Sequence, residues 1–198
     1  MNKDKPVVVG RGTQLFNELR WLGKVINKDR DVWQVLHVEH TEDEIILVTT
    51  DGRRLHKVQT KLGTLCHPKF LPAGDYMFEK NNDKEVVLTS YDIQYPNWRR
   101  VTPEGNPEHF PKYLYTIDLK IPEYTTNDKS NFSVAFGQLT LLTDTIFDLR
   151  YIEAMADDDR YWTIKWYSKK YAFLFSNGIR HASIMSKQDM VMQEVRKL

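Results

Sequence analysis

Arg20, Lys24 and Lys28 recur at a spacing of four, which on an α-helix stacks three cations in one row. A cationic row of this kind is one that could meet phosphates without reading bases. The same pattern is also what an ordinary solvated helix face looks like, and Glu18 sets an acid at one end. His37-Val-Glu-His40 has the composition of a metal fragment, but on a strand its two imidazoles point to opposite faces. His56, His67, His109 and His181 show no ligand spacing. Asp157, Asp158 and Asp159 lack the alternating ligands and glycine of a calcium loop and read as a solvated loop. A Gly-rich phosphate loop, a nucleophile elbow and a Cys/His pairing are all missing from the sequence, so an enzyme has no positive support. We expect no cofactor and no metal.

The elements that must position these residues follow from periodicity. Val7 to Val9 reads as a short strand. Thr13 is an N-cap candidate for a helix whose apolar stripe is Leu15, Leu19, Leu22 and Ile26, widened by Phe16 and Val25 and ended by Asp29 and Asp31. Strands are expected over 31–38, 45–50, 76–78 and 86–88, with a turn at 80–84. Between Val48 and Leu55, Asp51-Gly52 marks a hairpin, because glycine accepts the positive φ of a tight turn. Residues 95–111, with Pro96, Pro103, Pro107 and Pro111, read as a linker. Beyond it, strands are expected over 113–121, 132–136, 162–167, 171–175 and 179–185, with a helix over 146–155. Trp33, Trp98, Trp162 and Trp166 read as core strand residues rather than nucleobase platforms.

Composition bounds the rest. The 198 residues carry 28 Lys and Arg against 27 Asp and Glu, a formal net charge of +1. A nucleic-acid surface would therefore be a local patch and not a global excess. Five Trp, ten Tyr and nine Phe suit a β-rich fold. Cys66 is the single cysteine, which excludes an internal disulfide and a thiolate zinc cluster and points to a reducing, cytoplasmic setting. The apolar runs are too short for a signal peptide or a membrane span.

Three segments resemble the bacterial DNA sliding clamp, the β subunit of the replicative polymerase. Thr50, Asp51, Gly52, Arg54 and Leu55 match the family's Ala-Thr-Asp-Gly-x-Arg-Leu hairpin. Tyr95, Pro96, Arg99, Arg100, Val101 and Pro103 match the Tyr/Phe-Pro-Asp-Tyr-Arg-Arg-Val-x-Pro segment that follows it. Phe147, Asp148, Tyr151, Ile152 and Met155 match the opening of the second helix of the last clamp domain. The resemblance implies an α+β, DNA-clamp-like fold: two trimmed repeats of antiparallel sheet with a helix packed on each, over 1–103 and 104–186, and a tail over 187–198. It also marks departures. Gly63, Pro68, Pro72 and Gly74 leave little room for the second helix of the first repeat. The stretch from Pro107 to Tyr124 reads as strand where the second repeat would carry its first helix.

By the same resemblance, the helix cations Arg20, Lys24 and Lys28 face duplex DNA. A groove for client peptides draws on Thr50, Gly52, Leu55, Pro103, Ile184 and Met185. The expected function is a non-catalytic, phage-like polymerase processivity factor or recruiting platform, with DNA polymerase or other clamp-binding proteins and duplex DNA as partners. Two repeats per chain imply a trimer for a six-repeat ring. The alternatives are a ring-less clamp-fold module that binds or regulates replication proteins, and an unrelated β-rich phage accessory or structural protein. The tail places Val191, Val195 and Leu198 on one helical face with Met192 beside it, so that it is open to covering the groove, meeting a neighbour or fraying.

Overall fold

The computed structural model describes residues 5–26, 34–102, 115–120, 137–156, 161–166 and 172–186. Lys28, Trp33, Pro103, His109, the strand expected over 132–136, the Asp157–Asp159 run and the tail from 187 lie outside the described residues. The chain divides into two compact units, Met1–Trp98 and Arg99–Leu198.

In the first unit six antiparallel strands run in the order β1-β6-β5-β2-β3-β4. They are β1 (Val7–Gly10), β2 (Val35–His40), β3 (Glu44–Thr50), β4 (Arg54–Lys61), β5 (Gly74–Asn81) and β6 (Glu85–Ser90). Helix α1 (Gln14–Leu22) starts where expected, with the Phe16 amide donating to the Thr13 hydroxyl at 3.1 Å. It ends sooner than its stripe suggests. After Leu22 the chain tightens into a 3-10 turn, Gly23–Val25, so Arg20 and Lys24 do not share one uninterrupted α face. The turn fits closely: a Cβ on Gly23 would sit 1.8 Å from the Asn81 amide nitrogen. Glu18 is buried and leaves the exposed row to the cations. No helix occurs among the described residues 60–74.

Strand β3 carries an unbroken apolar run, Ile45 to Val48, because it is covered on both faces, and Ile45 to Thr50 are all buried. Register places Leu36, Val38, Ile45, Leu47, Thr49, His56 and Val58 on one face. That face meets α1, where Trp21 stacks on His56 at 4.1 Å. The opposite face carries His37, Glu39, Ile46, Val48, Leu55 and Lys57. Tyr95 and Trp98 pack over its apolar part against Ile46, Val48 and Leu55. The expected linker thus begins later than Tyr95. Trp98 is core, as expected, but in a 3-10 turn (Trp98–Val101) and not a strand.

In the second unit four antiparallel strands run β10-β9-β8-β7: β7 (Tyr115–Lys120), β8 (Tyr161–Trp166), β9 (Phe173–Asn177) and β10 (Arg180–Ile184). Here the alternation is one-sided. Trp162, Ile164, Phe173, Phe175, Ala182 and Ile184 are buried, while Thr163 and Asp118 hydrogen-bond across the polar face at 2.8 Å. Gly178, at φ +55, turns β9 into β10. Residues 137–143 form a helix, α2, that the sequence did not announce. Helix α3 (Leu149–Ala156) opens three residues after the expected start, because the Asp148 carboxylate accepts the Arg150 amide at 3.0 Å. Its inner side, Tyr151, Ile152 and Met155, is buried, and Phe147 meets Phe173 edge-on at 4.8 Å. The fold is α+β and clamp-like, two trimmed repeats with helix packed on antiparallel sheet.

Candidate functional site

The hairpin between β3 and β4 is tied from within. Gly52 takes φ +83. The Asp51 carboxylate accepts the amides of Arg53 and Arg54, each at 2.9 Å, and pairs with the Arg54 Nε at 3.0 Å. The Thr50 hydroxyl donates to the Arg54 carbonyl at 2.7 Å and accepts the Gly52 amide at 3.1 Å. Leu55 is 2% exposed, beneath Trp98.

The same segment terminates α1. The last carbonyls of a helix lack partners within it and carry the negative end of its dipole. The Thr49 hydroxyl donates to the Leu22 carbonyl at 2.8 Å, His56 Nδ1 lies 3.3 Å from the Trp21 carbonyl, and Arg54 Nη2 donates to the Lys24 carbonyl at 3.0 Å. Three side chains of one hairpin therefore hold the end of the cation-bearing helix.

The cations themselves divide. Lys24 is exposed on the 3-10 turn. Arg20 reaches the β5–β6 loop, donating to Asp83 at 2.6 Å and to Asn81 at 3.3 Å. That loop is shaped by Asn82, whose carboxamide oxygen accepts the amides of Lys84 and Glu85.

A polar cluster beside the Tyr95–Trp98 cover escaped the reading of the sequence. His37 Nδ1 lies 2.6 Å from Asp75 and Nε2 2.9 Å from Glu39. Tyr95 stacks on the imidazole at 4.7 Å, Trp98 donates to Glu39 at 2.9 Å, and Lys57 lies 5.7 Å from the centre of the Trp98 ring. Burial, and then the Asp75 charge, push the Tyr95 phenol well above its ordinary range. His37 and His40 do lie on opposite strand faces, and no metal-binding group of three or more His, Cys, Asp or Glu occurs among the described residues.

In the second unit Ile184 is buried at the end of β10 and Met185 is partly exposed after it. Between residues 137 and 156 the one basic residue is Arg150, paired with Asp148 at 2.6 Å. No described helix is long and apolar enough to cross a membrane.

No family model matches the chain, and no curated protein sequence matches it. Solved structures do. Among them are bacterial β sliding clamps. The DNA polymerase III β chain of Streptococcus pneumoniae superposes with a TM-score of 0.57 at 12% identity, over 94% of this chain and 65% of that one. The Helicobacter pylori β clamp bound to a DNA ligase peptide gives 0.56 at 12%, over 94% and 67%. The β subunit of Borrelia burgdorferi in complex with a natural product gives 0.55 at 10%, over 93% and 63%. The chain resembles these clamps in fold and spans about two thirds of their length.

Proposed function

We propose that this protein is a non-catalytic, sliding-clamp-like platform that holds a DNA polymerase or another DNA-acting protein on duplex DNA. The supporting observation is the clamp fold over 94% of the chain, joined to the Thr50–Leu55 and Tyr95–Val101 motifs. Arg20, Lys24 and Lys28 are the proposed phosphate contacts, acting without base readout. The Thr50–Gly52–Leu55 hairpin is the proposed anchor for client peptides on the first unit. Pro103, Ile184 and Met185 carry the same proposal further along the chain. Strand β1 ends the strand order of the first unit and β7 that of the second, and an end strand offers backbone groups for assembly. Three copies would supply six repeats.

A second reading, a ring-less clamp-fold module that binds replication proteins, is favoured by two details. Asp83 already engages Arg20, and the described α-helical residues of the second unit, 137–143 and 149–156, offer duplex DNA only Arg150. Light-scattering chromatography separates the two. A mass of three times 23.4 kDa with salt-sensitive duplex binding supports the clamp; a monomer that binds client peptide but not duplex supports the module.

A further inference from the structure

We propose that His37 is a protonation-dependent latch: as the imidazolium it pins the Tyr95–Trp98 segment over the sheet of the first unit, and its neutral form lets that segment lift. The starting point is a count of donors. His37 Nδ1 lies 2.6 Å from Asp75 Oδ1, and Nε2 lies 2.9 Å from Glu39 Oε1. A carboxylate only accepts, and a neutral imidazole has one N–H and one lone pair. Two carboxylates on its two nitrogens therefore call for the imidazolium, which donates from both. The Trp98 indole, a donor only, gives its proton to the same Glu39 Oε1 at 2.9 Å. An unprotonated Nε2 would set its lone pair against that oxygen.

Burial makes the count matter. The His37, Glu39 and Asp75 side chains are 22%, 21% and 14% exposed, so water is a poor substitute for a missing donor. Glu39 approaches from β2 itself and Asp75 from β5. From β3 the residue opposite His37 is the apolar Val48, and beyond it on β4 stands Lys57, whose Nζ donates to Gln59 at 2.9 Å. Tyr95 lies over the ring, and Asp92, on the same segment, is exposed. Asp75 and Glu39 are the charges in contact with the imidazole.

The cover hangs on this ring. Its near end is fixed through the backbone, where the Tyr91 amide donates to the Asp75 carbonyl at 2.8 Å. Residues 91–97 then run without helix or strand. Their side-chain ties include Tyr95 stacked on His37 at 4.7 Å, the Tyr95 hydroxyl on the Val48 carbonyl at 3.3 Å, and Trp98 on Glu39. The first of these rests on the imidazole, and the third on a carboxylate that the imidazole orients. When His37 loses a proton, Asp75 or Glu39 meets a lone pair in place of an N–H and is repelled, and the tie it supports goes with it. The hold is present below the pH at which His37 titrates and is lost as the pH rises through it.

NMR on the 198-residue chain, over roughly pH 5 to 9, tests this. The His37 ring resonances follow its titration directly, and the Trp98 indole N–H reports the state of the cover. Exchange of that indole proton, corrected for its intrinsic pH dependence, should rise about tenfold or more across the His37 titration, the equivalent of one charge-assisted hydrogen bond. The amides of β3 should stay protected throughout, which also checks that each variant is folded. In Asp75→Asn the carboxamide donates to a neutral imidazole, and the step should vanish. His37→Phe keeps a ring beneath Tyr95 without a proton and should show no step, so the other histidines are not its source. A step that misses the His37 titration overturns the proposal, as does a step that persists in either variant. A cover that stays closed over a neutral His37 ring overturns it as well.

Discussion

The Arg54 guanidinium bridges the Asp51 carboxylate, 3.0 Å away, and the Lys24 backbone carbonyl, also 3.0 Å away. It links the hairpin turn to the end of α1. Both members of the ion pair are close to nine-tenths shielded from solvent. Arg54→Ala should destabilise the first unit by about 2–4 kcal/mol, because it leaves the Asp51 charge and a helix-end carbonyl without the cation. Urea midpoints measure this, and Arg54→Lys should recover only part of the loss, since lysine cannot reproduce two fixed donor directions. An unchanged midpoint would mean that the bridge contributes nothing.

Tyr95 gives a pH signature. Its phenol titrates above the ordinary value in the folded state, through burial and then the Asp75 charge. The raised group stabilises fully below the unfolded value of about 10, and above it the unfolded chain sheds a proton that the folded one keeps. Stability should therefore fall by an additional ~1.4 kcal/mol per pH unit above about pH 10. Tyr95→Phe should remove this component of the slope, at a neutral-pH cost of ~1 kcal/mol for the hydrogen bond to the Val48 carbonyl. Parallel alkaline limbs for the two proteins would contradict the assignment.

Leu55 is both a proposed peptide anchor and a member of the Trp98 cluster. Its burial predicts that Leu55→Ala costs about 2–5 kcal/mol of stability. Weakened peptide binding in that variant would then be ambiguous. Thr50→Ser keeps the hydroxyl that the turn requires and removes only a methyl, so it should bind client peptide more weakly with an almost unchanged thermal midpoint. Calorimetric titration beside thermal denaturation separates the two effects.

If Arg20 is the phosphate contact proposed above, its ion pair with Asp83 is a competitor for that contact. Asp83→Asn should tighten duplex binding at low salt, whereas Arg20→Glu/Lys24→Glu should weaken it and flatten the salt slope by about 0.9 for each phosphate no longer neutralised. Fluorescence anisotropy across a salt series reads both. If neither variant moves the affinity, these two cations do not meet DNA.

How much of this was legible in the sequence depended on how local the cause is. Thr13 as a cap, Gly52 as a turn residue and the crowding of Gly and Pro over 60–74 act within a few residues of themselves, and the fold uses them as read. The end of α1 was hidden because Val25 is buried within the 3-10 turn, so the apolar stripe continues after the α-helix has stopped. The start of α3 had a signal, Asp148, that apolar spacing from Ile146 obscured. The His37 cluster had none. Its contacts to Asp75 and from Trp98 to Glu39 join residues 38 and 59 positions apart, and nothing in a strand's own alternation says what will be laid over its far side. The groove residues were chosen by family likeness alone. That likeness could not reveal that Thr50 spends its hydroxyl in the turn or that Leu55 lies under Trp98.

The double covering of β3 also sets a constraint on synthesis. The strand and its helix leave the ribosome well before Tyr95 and Trp98 do. At ~5–20 residues per second, the far side of β3 stays uncovered for about 2–10 s while the remainder of the first unit is made. During that interval Ile46, Val48 and Leu55 are bordered by His37, Glu39, Lys57 and Gln59. The charged and polar border that later anchors the cover first serves as a gatekeeper, keeping the nascent sheet from sticking to another nascent sheet.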